Sequence, residues 1–279
     1  PASVYAAFRG TEGRATTLVV RDPAADAAPR PYVVEPVSDE APFRYAAWVE
    51  ANRRAVSDAT AGRAAYVHLP DTAVRGVREL VRQLYPQLDR EALVVDARFN
   101  AGGFPPDWIL ERLSASVRHR GVLRGSADLR LPPDALDGPR CLLVNEWSES
   151  GGDALPLGFR AAGIGPVFGK RTYGAFVGNV RRHTLVDGGI VTVPELAIWS
   201  PGPPPSWAVE NHGVEPDVEI ESPPQAPGPH LDPQLAFAVA WVRGQLVQLD
   251  GTPRPARPPF PSAGPSPPAP AASAPGRRP

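Results

Sequence analysis

Three short runs are apolar at nearly every position: residues 64–69 (AAYVHL), 92–95 (ALVV) and 141–144 (CLLV). A strand with both of its faces apolar must be covered on both, as in a parallel sheet between helical layers. Between and around these runs, residues 43–59, 74–85 (VRGVRELVRQLY), 108–117 and 153–162 carry apolar side chains at helical spacing. Strand and helix in alternation predict βαβ units. The expected class is therefore α/β, a mostly parallel sheet covered by helices.

The flanks read differently. Residues 15–20 (ATTLVV) and 32–37 (YVVEPV) are short strand-like runs separated by Asp22-Pro23 and Pro29-Arg30-Pro31. Two strands cannot bury a core on their own, so residues 1–42 are expected to end a β domain that begins ahead of Pro1. From Lys170 to Glu221 the pattern shifts to short strands and turns. A last helix is expected over 233–249, with Asp232 as N-cap and Pro233 at its first position. Residues 252–279 hold 11 prolines in 28 positions, a composition that leaves a chain disordered or in polyproline II. The expected division is thus 1–42, 43–251 and 252–279.

Composition excludes several classes. A net charge of −1 gives no electrostatic footprint for nucleic acid. One cysteine, Cys141, allows neither a disulfide framework nor a thiolate zinc site. The five histidines are scattered without a close pair, so no metal is expected, and no apolar run approaches the ~20 residues of a membrane helix. The reading is a soluble, cytoplasmic chain that needs no cofactor.

Three stretches could carry chemistry. In LLVNEWSESGGD (142–153) a buried strand runs through a polar connection and two serines to a Gly-Gly helix start. Ser148 or Ser150 there is either a helix cap or a hydroxyl presented at the carboxyl edge of the sheet. The helix amides behind it could hold an oxyanion, and Gly151 and Gly152 would let a substrate backbone approach. In VVDARFNAGGF (94–104) a second buried strand ends in a glycine turn, which could add another amide donor, cradle a phosphate (though its spacing matches no Rossmann or P-loop fingerprint) or be only a turn. In WAVENHGVEPD (207–217), Glu210 or His212 could act as orienting acid or base, or the segment could be a charged loop. His68, between Val67 and Leu69, reads as a structural histidine, and Cys141 as inert core.

Taken together, NEWSESGGD, DARFNAGGF and VENHGVEPD resemble, in that order, the C-terminal catalytic half of the tricorn core proteases, a branch of the C-terminal-processing serine peptidases. FGKRTYGAFVG, TLVDGGIVTVPE and FRYAAWVEANRR fit the same family, and the resemblance covers about residues 43–250. It implies a crotonase- or Clp-like peptidase core preceded by the end of a PDZ-like domain. It further implies that Ser150 attacks the scissile carbonyl to form an acyl-enzyme, with the amides of Gly103 and Gly151 as oxyanion hole. Glu210 matches the family's glutamate, which orients a serine–histidine pair lying before the PDZ-like domain. The general-base histidine is accordingly expected ahead of Pro1, and this chain by itself is expected to be nearly inactive.

Gly102 and Gly121 are implied to border the substrate. Two departures stand out: Gly151 replaces the acid that commonly follows the nucleophile, and Gly121 replaces the acid that favours basic residues at the cleavage site. Where many relatives place a dyad lysine, in a G-x-x-T-x-G-K stretch, this chain has Ala175. Its single lysine, Lys170, lies five positions earlier and is not expected to serve as base. The resemblance also implies a homo-oligomer acting on peptides. Two rival readings remain: an inactive peptide-binding module of the same fold, and a scaffold whose Pro-rich tail recruits SH3-like partners.

Overall fold

The computed structural model describes residues 3–21, 28–123, 128–179, 181–200, 204–207, 209–222, 232–252 and 256–260. Its elements run α1 (Val4–Ala7), β1 (Thr16–Val20), β2 (Arg30–Val34), α2 (Ala41–Ala59), β3 (Ala64–His68), α3 (Val74–Leu84), β4 (Ala92–Asp96), α4 (Asp107–Ser114), β5 (His119–Gly121), β6 (Leu129–Leu131), β7 (Arg140–Val144), α5 (Gly151–Ala161), β8 (Val167–Gly169), β9 (Arg181–Thr184), β10 (Ile190–Val193), β11 (Val218–Glu219) and α6 (Pro233–Asp250).

Five strands form one fully parallel sheet in the order β11-β8-β7-β4-β3. The order is monotonic along the chain. Right-handed crossovers that always step the same way deposit their helices on one face. The core bears this out: α3, α4 and α5 pack Leu80, Leu84, Ile109, Leu113, Leu155 and Phe159 against Ala65, Val67, Leu93, Val95, Leu142 and Val144. The alternate strand residues Ala64, Tyr66, Ala92, Val94, Cys141 and Leu143 face the other way. There they meet α2 and α6 through Val49, Val56, Leu235, Ala238, Val242 and Leu246. The expected α/β class with a helix-covered parallel sheet is what the chain adopts.

Several elements depart from the sequence reading. β8, of three residues, extends the sheet where no strand was expected, and β11, of two, lies in the 170–221 segment read as short strands and turns. α4 stops at Ser114 rather than running to residue 117, because the next backbone is taken elsewhere: Arg140 binds the Ala115 carbonyl, and Arg118 N–H bonds Leu131 O at 2.9 Å. β2 begins at Arg30, two residues before the expected run, and pairs antiparallel with β1. α6 starts as expected, with the Asp232 carboxylate accepting the Gln234 and Leu235 amides at 3.0 and 3.1 Å. The Asp22-Pro23 turn, and most of the proline-rich residues 252–279, lie outside the described residues. Among the described residues, no helix is long and apolar enough to cross a membrane.

Candidate active site

Parallel strands end together, so the loops after β3, β4 and β7 meet at one edge of the sheet. Asn100 stitches the three together. Its side-chain NH2 donates to Leu69 O at 2.8 Å, its Oδ1 accepts Gly102 N–H at 3.0 Å, and its carbonyl accepts Glu149 N–H at 3.0 Å. Thr72 N–H bonds Gly102 O at 2.8 Å. Ser148 is wholly buried and donates to Ala97 O at 2.8 Å, which ties the β7 loop to the end of β4. Of the two candidate serines, Ser148 is therefore structural.

Ser150 is different. Its φ of 57° and ψ of −111° place it in backbone space that side chains other than glycine rarely occupy. Such strain costs on the order of 1–3 kcal/mol and persists only where the surroundings enforce it. Ser150 stands at the N-cap of α5 in a reciprocal capping box with Asp153. The Asp153 N–H also bonds Ser150's own carbonyl at 2.9 Å. In the other half of the box the Asp153 carboxylate accepts the Ser150 N–H at 2.7 Å.

The glycines crowd this turn. A Cβ on Gly102, where φ is +72°, would lie 2.6 Å from Ser150 Cβ and 3.1 Å from Gly151 N. One on Gly103 (φ +137°) would lie 2.7 Å from Ala73 N, and one on Gly151 only 2.0 Å from Thr72 Oγ1. Thr72, buried and bonded to Phe104 O at 2.7 Å, fills the space a side chain at 151 would need. Among the described residues, neither the Gly103 nor the Gly151 N–H donates a hydrogen bond. The edge of the sheet thus holds a strained serine with two unpaired amide donors nearby, Gly151 at the start of α5 and Gly103 in the loop after β4.

Behind Ser150 lies a polar chain that the sequence reading did not find. Asp153, wholly buried, also accepts the Thr172 hydroxyl at 2.5 Å, Gly174 N–H at 2.8 Å and Ala175 N–H at 3.2 Å. Burial raises its carboxyl pKa; the four donors oppose this without cancelling it. Thr172 Oγ1 in turn accepts Val214 N–H at 2.8 Å. Glu210 sits on this neighbouring loop, where its Oε2 accepts Phe176 and Val177 N–H at 2.6 and 2.7 Å. The 172–177 loop therefore links the Ser150 turn to Glu210. The Ser150-x-x-Asp153 spacing, an acidic variant of a capping box, was the signal for Asp153.

The other candidates lie in different surroundings. His68 is 2% exposed, with Nε2 against Arg98 O at 3.0 Å and Nδ1 against Tyr45 Oη at 2.9 Å. A carbonyl can only accept, so Nε2 carries the proton and Nδ1 accepts from the phenol. Burial lowers the His68 pKa. Both ring nitrogens are thus engaged in a neutral structural histidine. His212 is exposed, 3.7 Å from Glu215. Lys170 is paired with Glu219 and Glu221, and the latter raises its pKa, opposite to what a lysine base needs. Gly121 lies on β5 of the β5–β6 pair, where a Cβ would meet only Leu129 and Leu131 within 4 Å. Cys141 is buried, and its thiol is pushed up by burial. Among the described residues, no group of three His, Cys, Asp or Glu side chains could hold a metal ion.

Comparison with known proteins bears on this geometry. Residues 63–220 match the family model described as peptidase family S41. The chain is 40% identical to tricorn protease homolog 1 of Streptomyces coelicolor over 252 residues, 90% of this chain and 23% of that one. It is 37% identical to the tricorn protease of Thermoplasma volcanium over 245 residues, 88% and 23%. A crystal structure of the tricorn protease superposes with a TM-score of 0.77 at 31% identity, covering 88% of this chain and 24% of the other. The chain spans about a quarter of the length of these relatives.

Proposed function

The chain belongs to peptidase family S41, and from that premise we propose that it is the catalytic portion of a serine peptidase cleaving oligopeptides through an acyl-enzyme on Ser150. The observation that carries the reading is the strained Ser150 beside the unpaired Gly103 and Gly151 amides.

In this mechanism Ser150 Oγ attacks the scissile carbonyl, and the hydroxyl proton passes to a general base. The carbonyl oxygen gains charge and takes the Gly103 and Gly151 N–H donors, each worth roughly 10²–10³ in rate. Collapse expels the amine, which takes up the proton; water then repeats the sequence on the acyl-enzyme. Gly102 borders the scissile backbone, since a side chain there would occupy the position of Ser150. Glu210, fixed by the Phe176 and Val177 amides, orients the serine–histidine pair.

The base is a histidine ahead of Pro1, in a part of the protein that precedes a PDZ-like domain whose end is residues 1–42. Two facts support this placement: His68 has both nitrogens occupied, and the chain matches only a quarter of its relatives' length. Residues 43–251 then form the catalytic domain and 252–279 a proline-rich tail. Gly121 leaves without a carboxylate the position aligned with the relatives' specificity acid. Self-association and a cytoplasmic setting complete the reading.

The test is peptide hydrolysis by the full-length protein. Ser150→Ala should lower kcat on the order of 10⁶-fold with the fold intact. An unchanged rate removes Ser150 from the mechanism, whereas peptide binding without any hydrolysis by the unsubstituted protein favours the inactive peptide-binding module.

A further inference from the structure

A cleft of about 290 Å³ opens between the first turns of α3 and α4. Its walls include Val74, Val77, Phe104, Pro105, Trp108 and Ile109, together with Thr72, the residue packed against Gly151. Three of these side chains are large, apolar and exposed: Val74 at 66%, Phe104 at 67% and Trp108 at 43%. Grouped exposure of this kind marks a binding surface more than scattered single residues do.

The cleft is continuous with the site. Thr72 abuts Gly151, and Ala73, also in the wall, abuts Gly103. A carbonyl held on those two amides therefore lies next to residues that line the cleft. The volume lies just below the range for ligand pockets, about 300–1,000 Å³, and suits one side chain. Among the described residues, the charged side chain in its lining is Arg78, and no carboxylate lines it. A lysine or arginine entering it would lose water, meet no counter-charge and face a like charge.

We propose that this cleft receives an apolar side chain, aromatic or branched aliphatic, adjoining the scissile bond of a peptide, and so selects apolar over basic residues there. The inference rests on the serine-peptidase reading of Ser150. Its occupant is committed by the apolar walls, the unmatched positive charge and the shared wall with the two amide donors.

The test uses the full-length protein and peptides varied at the residues flanking the scissile bond. At one of these positions Phe or Leu should exceed Lys or Arg in kcat/KM by roughly 10- to 200-fold, the scale of a hydrophobic pocket. Val74→Glu, at an exposed wall position, should reduce or invert that ratio, with its melting temperature checking the fold. The same peptides, fluorescein-labelled, are also bound to full-length Ser150→Ala with and without Val74→Glu. Tighter binding of the apolar peptides, weakened about tenfold or more by the glutamate, supports the cleft even if no peptide is cleaved. Cleavage without apolar preference, or binding indifferent to Val74→Glu, overturns the cleft while leaving the peptidase reading intact. Binding as expected without cleavage or serine labelling overturns the peptidase reading instead.

Discussion

At the residue scale, position 151 explains itself through its neighbour. A side chain at 151 would need the room that Thr72 occupies, its Oγ1 2.0 Å from where a Cβ would stand. Gly151→Ala should cost about 1–3 kcal/mol through overpacking. Combined with Thr72→Ala it should cost less than the sum of the two single changes, a coupling measured by a denaturant double-mutant cycle. Strict additivity would show that the crowding carries no energy. Asp153 admits a sharper test, because its carboxylate is the common acceptor for Ser150 N–H and the 172–175 loop. Asp153→Asn leaves size unchanged but presents a single acceptor oxygen to these donors. In the full-length protein kcat should fall by up to about 100-fold with KM little changed, as expected for a misplaced nucleophile. A rise in KM at constant kcat would assign Asp153 to binding instead.

At the element scale, a buried polar network beneath the site clamps α6 to the sheet. Arg98 is 3% exposed; it binds Asp96 through Nε and Nη2 at 2.9 and 2.7 Å, and its Nη1 reaches Asp232 at 2.5 Å. Tyr66 Oη donates to Asp96 at 2.8 Å and accepts from Asn52 at 3.0 Å. Burial would push the Asp96 carboxyl up, but the Arg98 charge and hydrogen bonds outweigh it and hold the pKa down. Asp96→Ala should therefore cost about 3–5 kcal/mol, because it strands a buried guanidinium; a loss below 1 kcal/mol in urea denaturation would contradict this.

His68 adds a pH dependence of definite sign. Unfolded, it takes a proton below about pH 6.5, while burial makes the folded ring resist. Protons then favour the unfolded state, and stability falls as pH drops below 6.5 toward the lowered folded pKa, by at most 1.36 kcal/mol per unit. Urea melts at pH 7.5, 6.5 and 5.5 should show a shallower slope in His68→Gln; equal slopes would mean that His68 is not held neutral.

The helices α2, α3 and α6 and the strands β3, β4 and β7 were legible because each states its burial in its own residues. β8 was not, and β11 was legible only as an unplaced short strand: three and two residues cannot display a period, and they are strands only through pairing with β7 and with each other. The same holds at the site. Ser150 and the glycines follow from local pattern and resemblance, whereas the Thr72–Gly151 packing and the Asp153–Thr172 bond join residues 79 and 19 apart in numbering.

At the scale of the whole molecule, both faces of the sheet are covered by this chain's own helices. The 279 residues as a separate polypeptide should therefore melt cooperatively yet hydrolyse peptides near background, since the proposed base lies elsewhere. Robust turnover by that polypeptide, followed by calorimetry and peptide assay on one preparation, would place the base within it, with His212 the first to change. The central claim, a reactive Ser150 hydroxyl beside two waiting amide donors, is tested most directly by exposing the full-length protein to a fluorophosphonate and mapping the adduct by mass spectrometry. The account predicts a single adduct on Ser150 that vanishes in Ser150→Ala. An unmodified Ser150 in folded protein, or labelling that survives the substitution, would contradict it.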